Sequence, residues 1–156
     1  QMEREQRMTD ECVGPMTVRL DMQAATRDEA VRATAELLRG DPRVGPWDAF
    51  WAGITPAKVV ELGGGEGRAV CLAHGRGADV TGLALAAARL ERPVIGEDGA
   101  PLSLFFVFAI PLTMSEEYLR AVGALARACG DAARREALNT DASPEDFARH
   151  LAGWIA

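Results

Sequence analysis

The residue types best suited to chemistry occur in residues 58–76, where the chain reads KVVELGGGEGRAVCLAHGR. In one interpretation, a glycine-rich turn leads into a short strand that presents His74 at its end. One nitrogen of a neutral imidazole is a nucleophile, while a backbone acceptor can hold the other nitrogen in the correct tautomer. A histidine presented in this way is suited to carrying a phosphoryl group.

A second interpretation treats VVELGGGEGR as a nucleotide-binding loop between a strand and a helix. Residues 59–93 then resemble the first motif of Rossmann-like S-adenosylmethionine-dependent methyltransferases. Such proteins bind the ribose hydroxyls through an acidic residue at the end of the next strand, where this chain has Leu83 and Ala84. The roughly 70 residues that follow also hold too few strands for a doubly wound sheet. This interpretation is therefore the least favoured.

Two basic residues flank the segment. Lys58 is the only lysine in the chain, and Arg76 follows His74 by two positions. Phosphoryl transfer spreads negative charge over the transferred oxygens, so a fixed cation and aligned backbone N–H groups stabilise its transition state. Lys58 and the glycine turn could supply these, although Lys58 is equally consistent with a solvated surface cation. Arg76 could contact phosphate, but an exposed surface arginine is the commoner case. His150 lies beside the apolar stripe of a predicted terminal helix and is interpreted as structural.

Composition limits the partners and the compartment. A formal net charge of −6 and a pI near 5.0 argue against a nucleic-acid or anionic-membrane surface and favour a basic partner protein. Cys12, Cys71 and Cys129 are widely spaced, so neither a disulfide framework nor a zinc site is indicated, and a reducing cytoplasm is expected. The longest apolar run, residues 102–112, is about half the length of a membrane-spanning helix, which predicts a buried strand and no membrane insertion.

Local patterns predict the elements of the first two thirds of the chain. Residues 1–15 are expected to be a flexible lead or an expression remnant, followed by one domain over residues 16–156. Residues 16–22 alternate as a strand, and Thr26 with Glu29 forms a capping box for a helix through Arg39. Residues 47–54 place their aromatic residues on one helical face. Three strands are predicted next, at RAVCL, at residues 80–90 and at residues 102–110.

The last third of the chain is predicted to be helical. Thr113 or Ser115 begins one helix, a short helix covers residues 133–138, and Ser143 caps a terminal helix whose first position is Pro144. Strands followed by helices in this order predict an α/β fold in which helices cover a sheet.

Several stretches, in order, resemble the enzyme IIA domain of the mannitol/fructose type in the bacterial phosphotransferase system, including its nitrogen-regulatory relatives. VRLDMQAATRDEAVRATAELL fits the first strand and helix of that family, and AVCLAH matches its Gly-(Val/Ile)-Ala-Ile-Pro-His strand. LERPVIGEDGAPLSLFFVFAIP and MSEEYLRAVGALARACGDAARREAL resemble later parts of the family pattern, as does ASPEDFARHL. The resemblance covers nearly the whole chain, and it implies an α/β fold with a mixed central β-sheet sandwiched by helices.

The resemblance implies that His74 accepts a phosphoryl group from the phosphocarrier HPr and passes it to an enzyme IIB domain. It implies no metal and no cofactor. Lys58 would take the place of the family's charge-stabilising arginine. The implied phosphate contacts are Gly64, Gly65, Gly67, Arg76 and Tyr118.

The chain departs from the family pattern at several of these positions. Lys58 keeps the charge of the arginine but lacks its planar fork. Gly63 and Gly64 replace Ser-Thr hydroxyls, Ala73 replaces the proline before the histidine, and Tyr118 stands where the mannitol branch has a second histidine. The family's acidic residue is replaced by Val59, unless Glu61 takes its place. Two hypotheses therefore stay open: a phosphoryl carrier, and a regulatory binding module of the same fold that docks to a partner.

Overall fold

The computed structural model describes residues 16–62, 69–97, 99–113 and 115–155. Its strands are β1 (Met16–Met22), β2 (Val59–Leu62), β3 (Ala69–Gly77), β4 (Ala84–Ile95) and β5 (Pro101–Pro111). Its helices are α1 (Arg27–Glu36), α2 (Trp47–Ala52), α3 (Ser115–Gly130), α4 (Ala132–Thr140) and α5 (Pro144–Ile155), and a short 3₁₀ turn (Pro56–Lys58) precedes β2. The predicted lead of residues 1–15 lies outside the described residues.

The described strands form one five-stranded mixed sheet in the order β1-β4-β5-β3-β2. β1 is parallel to β4 and β3 is parallel to β5, whereas the β4–β5 and β2–β3 pairs are antiparallel. β5 is central and nearly all of its residues are buried, because both of its faces are covered. The three strands predicted between RAVCL and Ile110 are confirmed as β3, β4 and β5.

Two apolar clusters fill the two sides of the sheet and define three layers. On one side, Val70 and Leu72 of β3 pack with residues of α3, α4 and α5. On the other side, Cys71 and Ala73 of β3 pack with residues of α1 and α2. Neighbouring strand residues point to opposite faces, so even-numbered positions of β3 face α3. The predicted sandwich of a mixed sheet between helices is confirmed.

Two of the predicted helix caps form as expected. The Thr26 hydroxyl accepts a hydrogen bond from the Glu29 N–H at 3.1 Å, and the Ser143 hydroxyl accepts one from the Asp146 N–H at 3.1 Å. The Glu29 carboxylate reaches back to the Ala25 N–H at 2.9 Å, one residue before the position of a standard capping box. Local sequence therefore fixes where α1 and α5 begin.

Several element boundaries differ from the prediction. β3 runs to Gly77, so His74 lies three residues before the end of the strand rather than at its end. α1 ends at Glu36 because the N–H groups of residues 37–39 bond three residues back in a tighter turn, before Gly40 at φ +86°. α2 ends at Ala52, before Ile54. β4 begins at Ala84 because Thr81 and Leu83 bond instead to Arg43, whose carbonyl accepts from the Thr81 N–H at 2.7 Å and whose Nη1 donates to the Leu83 carbonyl at 3.0 Å. It ends at Ile95 rather than at Leu90.

The sheet contradicts the methyltransferase interpretation. That interpretation required a helix directly after the glycine run. Instead, β2 before the run and β3 after it are adjacent antiparallel strands, with Val59 opposite Ala73 and Leu62 opposite Val70. The glycine run therefore connects two paired strands rather than a strand and a helix. Among the described helices, none is long and apolar enough to cross a membrane.

Candidate functional site

His74 lies in β3 on the face that packs against α3. The preceding residues on that face, Leu72 and Val70, belong to the apolar cluster below α3, and the partner of His74 in β5 is Phe108. The side chain is half-buried, whereas the residues around it on β3 and β5 are mostly fully buried. No described residue hydrogen-bonds to its ring nitrogens. The strand therefore presents an imidazole at the margin of the core.

Tyr118 of α3 lies directly beside His74. The two ring centroids are 5.4 Å apart with the planes tilted by 38°, and the Tyr118 ring meets Phe108 edge-on, also at 5.4 Å. Phe108 and Tyr118 thus hold one side of the imidazole in place. Burial raises the pKa of Tyr118, although the positive charge of Arg76 opposes this shift, so the phenol stays neutral and keeps a proton to donate.

Lys58 and Arg76 supply positive charge at the same place. Lys58 ends the 3₁₀ turn directly before β2, whose first residue Val59 pairs with Ala73, and its positive charge acts on the His74 ring. Arg76 is two residues beyond His74 on the same face of β3. Neither cation has a carboxylate partner among the residues that the structure describes. Two cations beside a histidine favour an anion there.

The pKa of His74 is lowered by its surroundings. Burial is the main cause, and the positive charges of Lys58 and Arg76 add to it. All three act against the imidazolium form, so the ring is neutral at neutral pH. A neutral imidazole has a free nitrogen lone pair, which is the form needed for attack on phosphorus.

Glu61 does not lie beside His74 and the two cations. Its partner across β3 is Cys71, so its side chain lies on the face opposite to His74. There its carboxylate accepts hydrogen bonds from Arg27 Nη1 at 3.0 Å and from the Glu97 N–H at 3.0 Å. Glu61 therefore ties β2 to the start of α1 and to the β4–β5 turn, and it does not take the place of the family's acidic residue beside the cation.

The remaining candidate residues divide into two groups. Gly64, Gly65 and Gly67 lie outside the described residues, so their backbone N–H groups stay a prediction. His150 makes structural contacts of its own: its Nδ1 lies 3.0 Å from Asp141 Oδ2, and its ring stacks on Trp154. The structural interpretation of His150 agrees with this pairing.

Two residues near His74 were not predicted as part of the group. Ser115, considered only as a helix cap, is the first residue of α3, and its hydroxyl accepts a hydrogen bond from Arg76 Nη1 at 2.6 Å. Gly75 is buried against α2, where an added Cβ would lie 2.8 Å from Phe50 Cε1. Both contacts join residues that are far apart in sequence, so no local sequence pattern predicts them.

The chain is similar to a known protein family and to several solved structures. A model of the family described as "Phosphoenolpyruvate-dependent sugar phosphotransferase system, EIIA 2" matches residues 13–153. The search of curated proteins found no match.

Among solved structures, the chain is similar to nitrogen regulatory protein IIA-Ntr from Neisseria meningitidis, with 27% identity and a TM-score of 0.69 over 86% of this chain and 92% of that one. IIA mannitol from Escherichia coli shares 22% identity at a TM-score of 0.63 over 86% and 95% of the two chains. A complex of enzyme IIAMtl with phosphorylated enzyme IIBMtl from Escherichia coli matches at 21% identity and a TM-score of 0.62 over 88% and 94%. The last two likenesses concern the fold alone.

Proposed function

The chain belongs to the EIIA 2 family of the phosphoenolpyruvate-dependent sugar phosphotransferase system, and on this basis we propose that it is a phosphoryl carrier that works through His74. It accepts the group from an HPr-like phosphocarrier and passes it to an enzyme IIB component. The observation that carries the proposal is the placement of His74, half-buried and neutral, between the Tyr118 ring and two cations without described carboxylate partners.

The transfer step follows from these groups. A lone pair on the His74 ring attacks phosphorus, a nitrogen–phosphorus bond forms, and the donor's bond to phosphorus breaks with its electron pair returning to the donor. Lys58 and Arg76 stabilise the charge on the transferred oxygens, and Tyr118 donates a hydrogen bond to one of them. The N–H groups of Gly64, Gly65 and Gly67 are the proposed backbone donors. Transfer to enzyme IIB repeats the step in reverse.

The surface around His74 supports docking of a protein partner. Leu119, the residue after Tyr118, has 64% of its surface exposed, and Leu112, just beyond the end of β5, has 55%. Pro111 at that end pairs with Gly77 of β3, so Leu112 lies at the same end of the sheet as His74. Exposed apolar side chains beside two cations suit a partner that brings an anionic phosphoryl group within an apolar contact surface.

A regulatory role is the second candidate, and a specific observation favours it. The nitrogen regulatory protein IIA-Ntr is among the similar structures. Lys58 also lacks the bidentate fork of the family's arginine, which would weaken transfer. A regulatory module predicts that the His74→Ala variant still binds its partner protein, whereas the carrier requires His74 for all phosphoryl uptake.

The test is phosphoryl uptake from phosphoenolpyruvate through purified enzyme I and HPr, read by intact mass at neutral pH. We expect one added phosphoryl group on the natural chain and none on the His74→Ala variant. The chain has two histidines, so His150→Ala is the matched control and is expected to take up the group normally. Uptake by His74→Ala equal to that of the natural chain would overturn the proposal.

A further inference from the structure

A hydrogen bond joins the end of the histidine strand to the start of the helix above it. Arg76 Nη1 of β3 donates to the Ser115 hydroxyl at 2.6 Å, across 39 positions of sequence. Arg76 is an exposed arginine, and such side chains ordinarily sample many rotamers. Here one end of the guanidinium has a fixed partner on a second element.

The bond belongs to a pair of contacts between β3 and α3. His74 and Arg76 are two residues apart and share a face of the strand. Ser115 and Tyr118 are three residues apart and share a side of the helix. His74 contacts Tyr118 and Arg76 contacts Ser115, so the four side chains form two adjacent strand-to-helix contacts.

The bond leaves Arg76 available for an anion. A guanidinium has five N–H donors, and the Ser115 hydroxyl accepts from Nη1. In the described part of the chain no carboxylate pairs with Arg76. A hydroxyl, unlike a carboxylate, holds the guanidinium without neutralising it.

We propose that Ser115 is a positioning residue whose hydroxyl holds the Arg76 guanidinium beside His74, ready to bind the oxygens of the incoming phosphoryl group. The inference rests on the proposed carrier function. Ordering Arg76 before the partner arrives removes part of the entropy cost of the transition state. The residue acts through Arg76 and does not itself touch the phosphoryl group.

The position of Arg76 can be measured without phosphoryl transfer. Within the described ranges, the titratable and charged groups beside His74 are Lys58, Arg76 and the neutral Tyr118 phenol. Positive charge from Lys58 and Arg76 lowers the pKa of His74 beyond the effect of burial. If Arg76 moves away, the pKa of His74 rises toward its ordinary value.

The experiment compares Ser115→Ala and Ser115→Thr, each in the natural and in the Arg76→Ala background. For every variant, the initial rate of uptake from phosphorylated HPr and the imidazole titration of His74 by NMR are measured. We expect Ser115→Ala to slow uptake about three- to tenfold, the usual effect of losing one hydrogen bond. Ser115→Ala should also raise the pKa of His74, and Ser115→Thr should restore both the uptake rate and this pKa. In the Arg76→Ala background, Ser115→Ala should change neither the rate nor the pKa.

Other outcomes overturn the proposal. Slowing by Ser115→Ala that persists without Arg76, or slowing with an unchanged His74 titration, would show that Ser115 acts by another route. If Ser115→Ala is folded but slow, and Ser115→Thr is equally slow, loss of the hydroxyl is not the cause of the slowing. If no variant takes up a phosphoryl group, the carrier function fails, while the titrations still report whether Ser115 holds Arg76.

Discussion

At the scale of single residues, the environment of His74 explains both its reactivity and a cost in stability. Burial and the charges of Lys58 and Arg76 keep the ring neutral, which frees a nitrogen for attack. The same groups oppose protonation of the folded protein. A site prepared for a phosphoryl group is thus less stable when His74 is charged and the site is empty.

This predicts a stability loss on acidification that depends on His74. The pKa of His74 in the folded protein lies below the ordinary value of 6.5, so the unfolded chain takes up the proton at higher pH than the folded one. As pH falls from 6.5 through the lowered pKa, the free energy of unfolding therefore falls. Denaturant unfolding above pH 6.5 and about one unit below it should show a larger loss for the natural chain than for His74→Gln. Equal losses in the two proteins would contradict the lowered pKa.

The sequence predicts single residues well where the signal is local or where the family pattern supplies it. Local pattern alone predicts a strand that presents His74, and the family pattern supplied the common site with Lys58, Arg76 and Tyr118. Ser115 was missed because its partner is far away in sequence. The sequence does not decide the role of Glu61, because only the pairing of β2 with β3 determines which face of the sheet its side chain occupies.

At the scale of elements, the site depends on how closely α2 approaches β3 from behind. Gly75 follows His74 and faces α2, where its missing side chain makes room for the buried ring of Phe50. A Cβ at position 75 would also lie 3.0 Å from Ile54 Cγ1. The strand that carries His74 is therefore held between α3 on one face and α2 on the other.

We predict that Gly75→Ala destabilises the protein by about 1–3 kcal/mol, the usual cost of overpacking. Gly77→Ala on the same strand is the matched control, because a Cβ there meets only Val80 Cγ2, at an ordinary 3.8 Å. The control should be neutral or slightly stabilising. The measurement is the denaturant midpoint of each variant, and a Gly75→Ala variant as stable as Gly77→Ala would refute the close packing of α2.

Helices and strands were predictable where caps and apolar runs mark them, as at Thr26, Ser143 and β5. Their boundaries failed where a distant partner decides, as at β4, whose preceding residues bond to the Arg43 loop. Strand order and direction were not accessible from periodicity, since a parallel and an antiparallel neighbour impose the same alternation. The family pattern supplied the mixed sheet that local rules left open.

At the scale of the whole molecule, charge is distributed unevenly in a way that suits the proposed role. The chain carries a formal net charge of −6, yet Lys58 and Arg76 stand beside His74 without described carboxylate partners. The acidic surface opposes indiscriminate anion binding, while the local cations favour a phosphoryl group at one place. The fold supplies this place by bringing the end of β3, the start of β2 and the first turn of α3 together.

The most direct test of the account is NMR of the protein with ¹⁵N-labelled histidine, before and after phosphorylation through enzyme I and HPr. The two histidines give two separable imidazoles, and His150→Ala assigns them. We predict that the ring nitrogens of His74 shift and show coupling to ³¹P, while those of His150 keep their positions. A phosphoryl group on His150, or unchanged spectra with a phosphotransfer mixture that loads a known IIA protein, would contradict the carrier function.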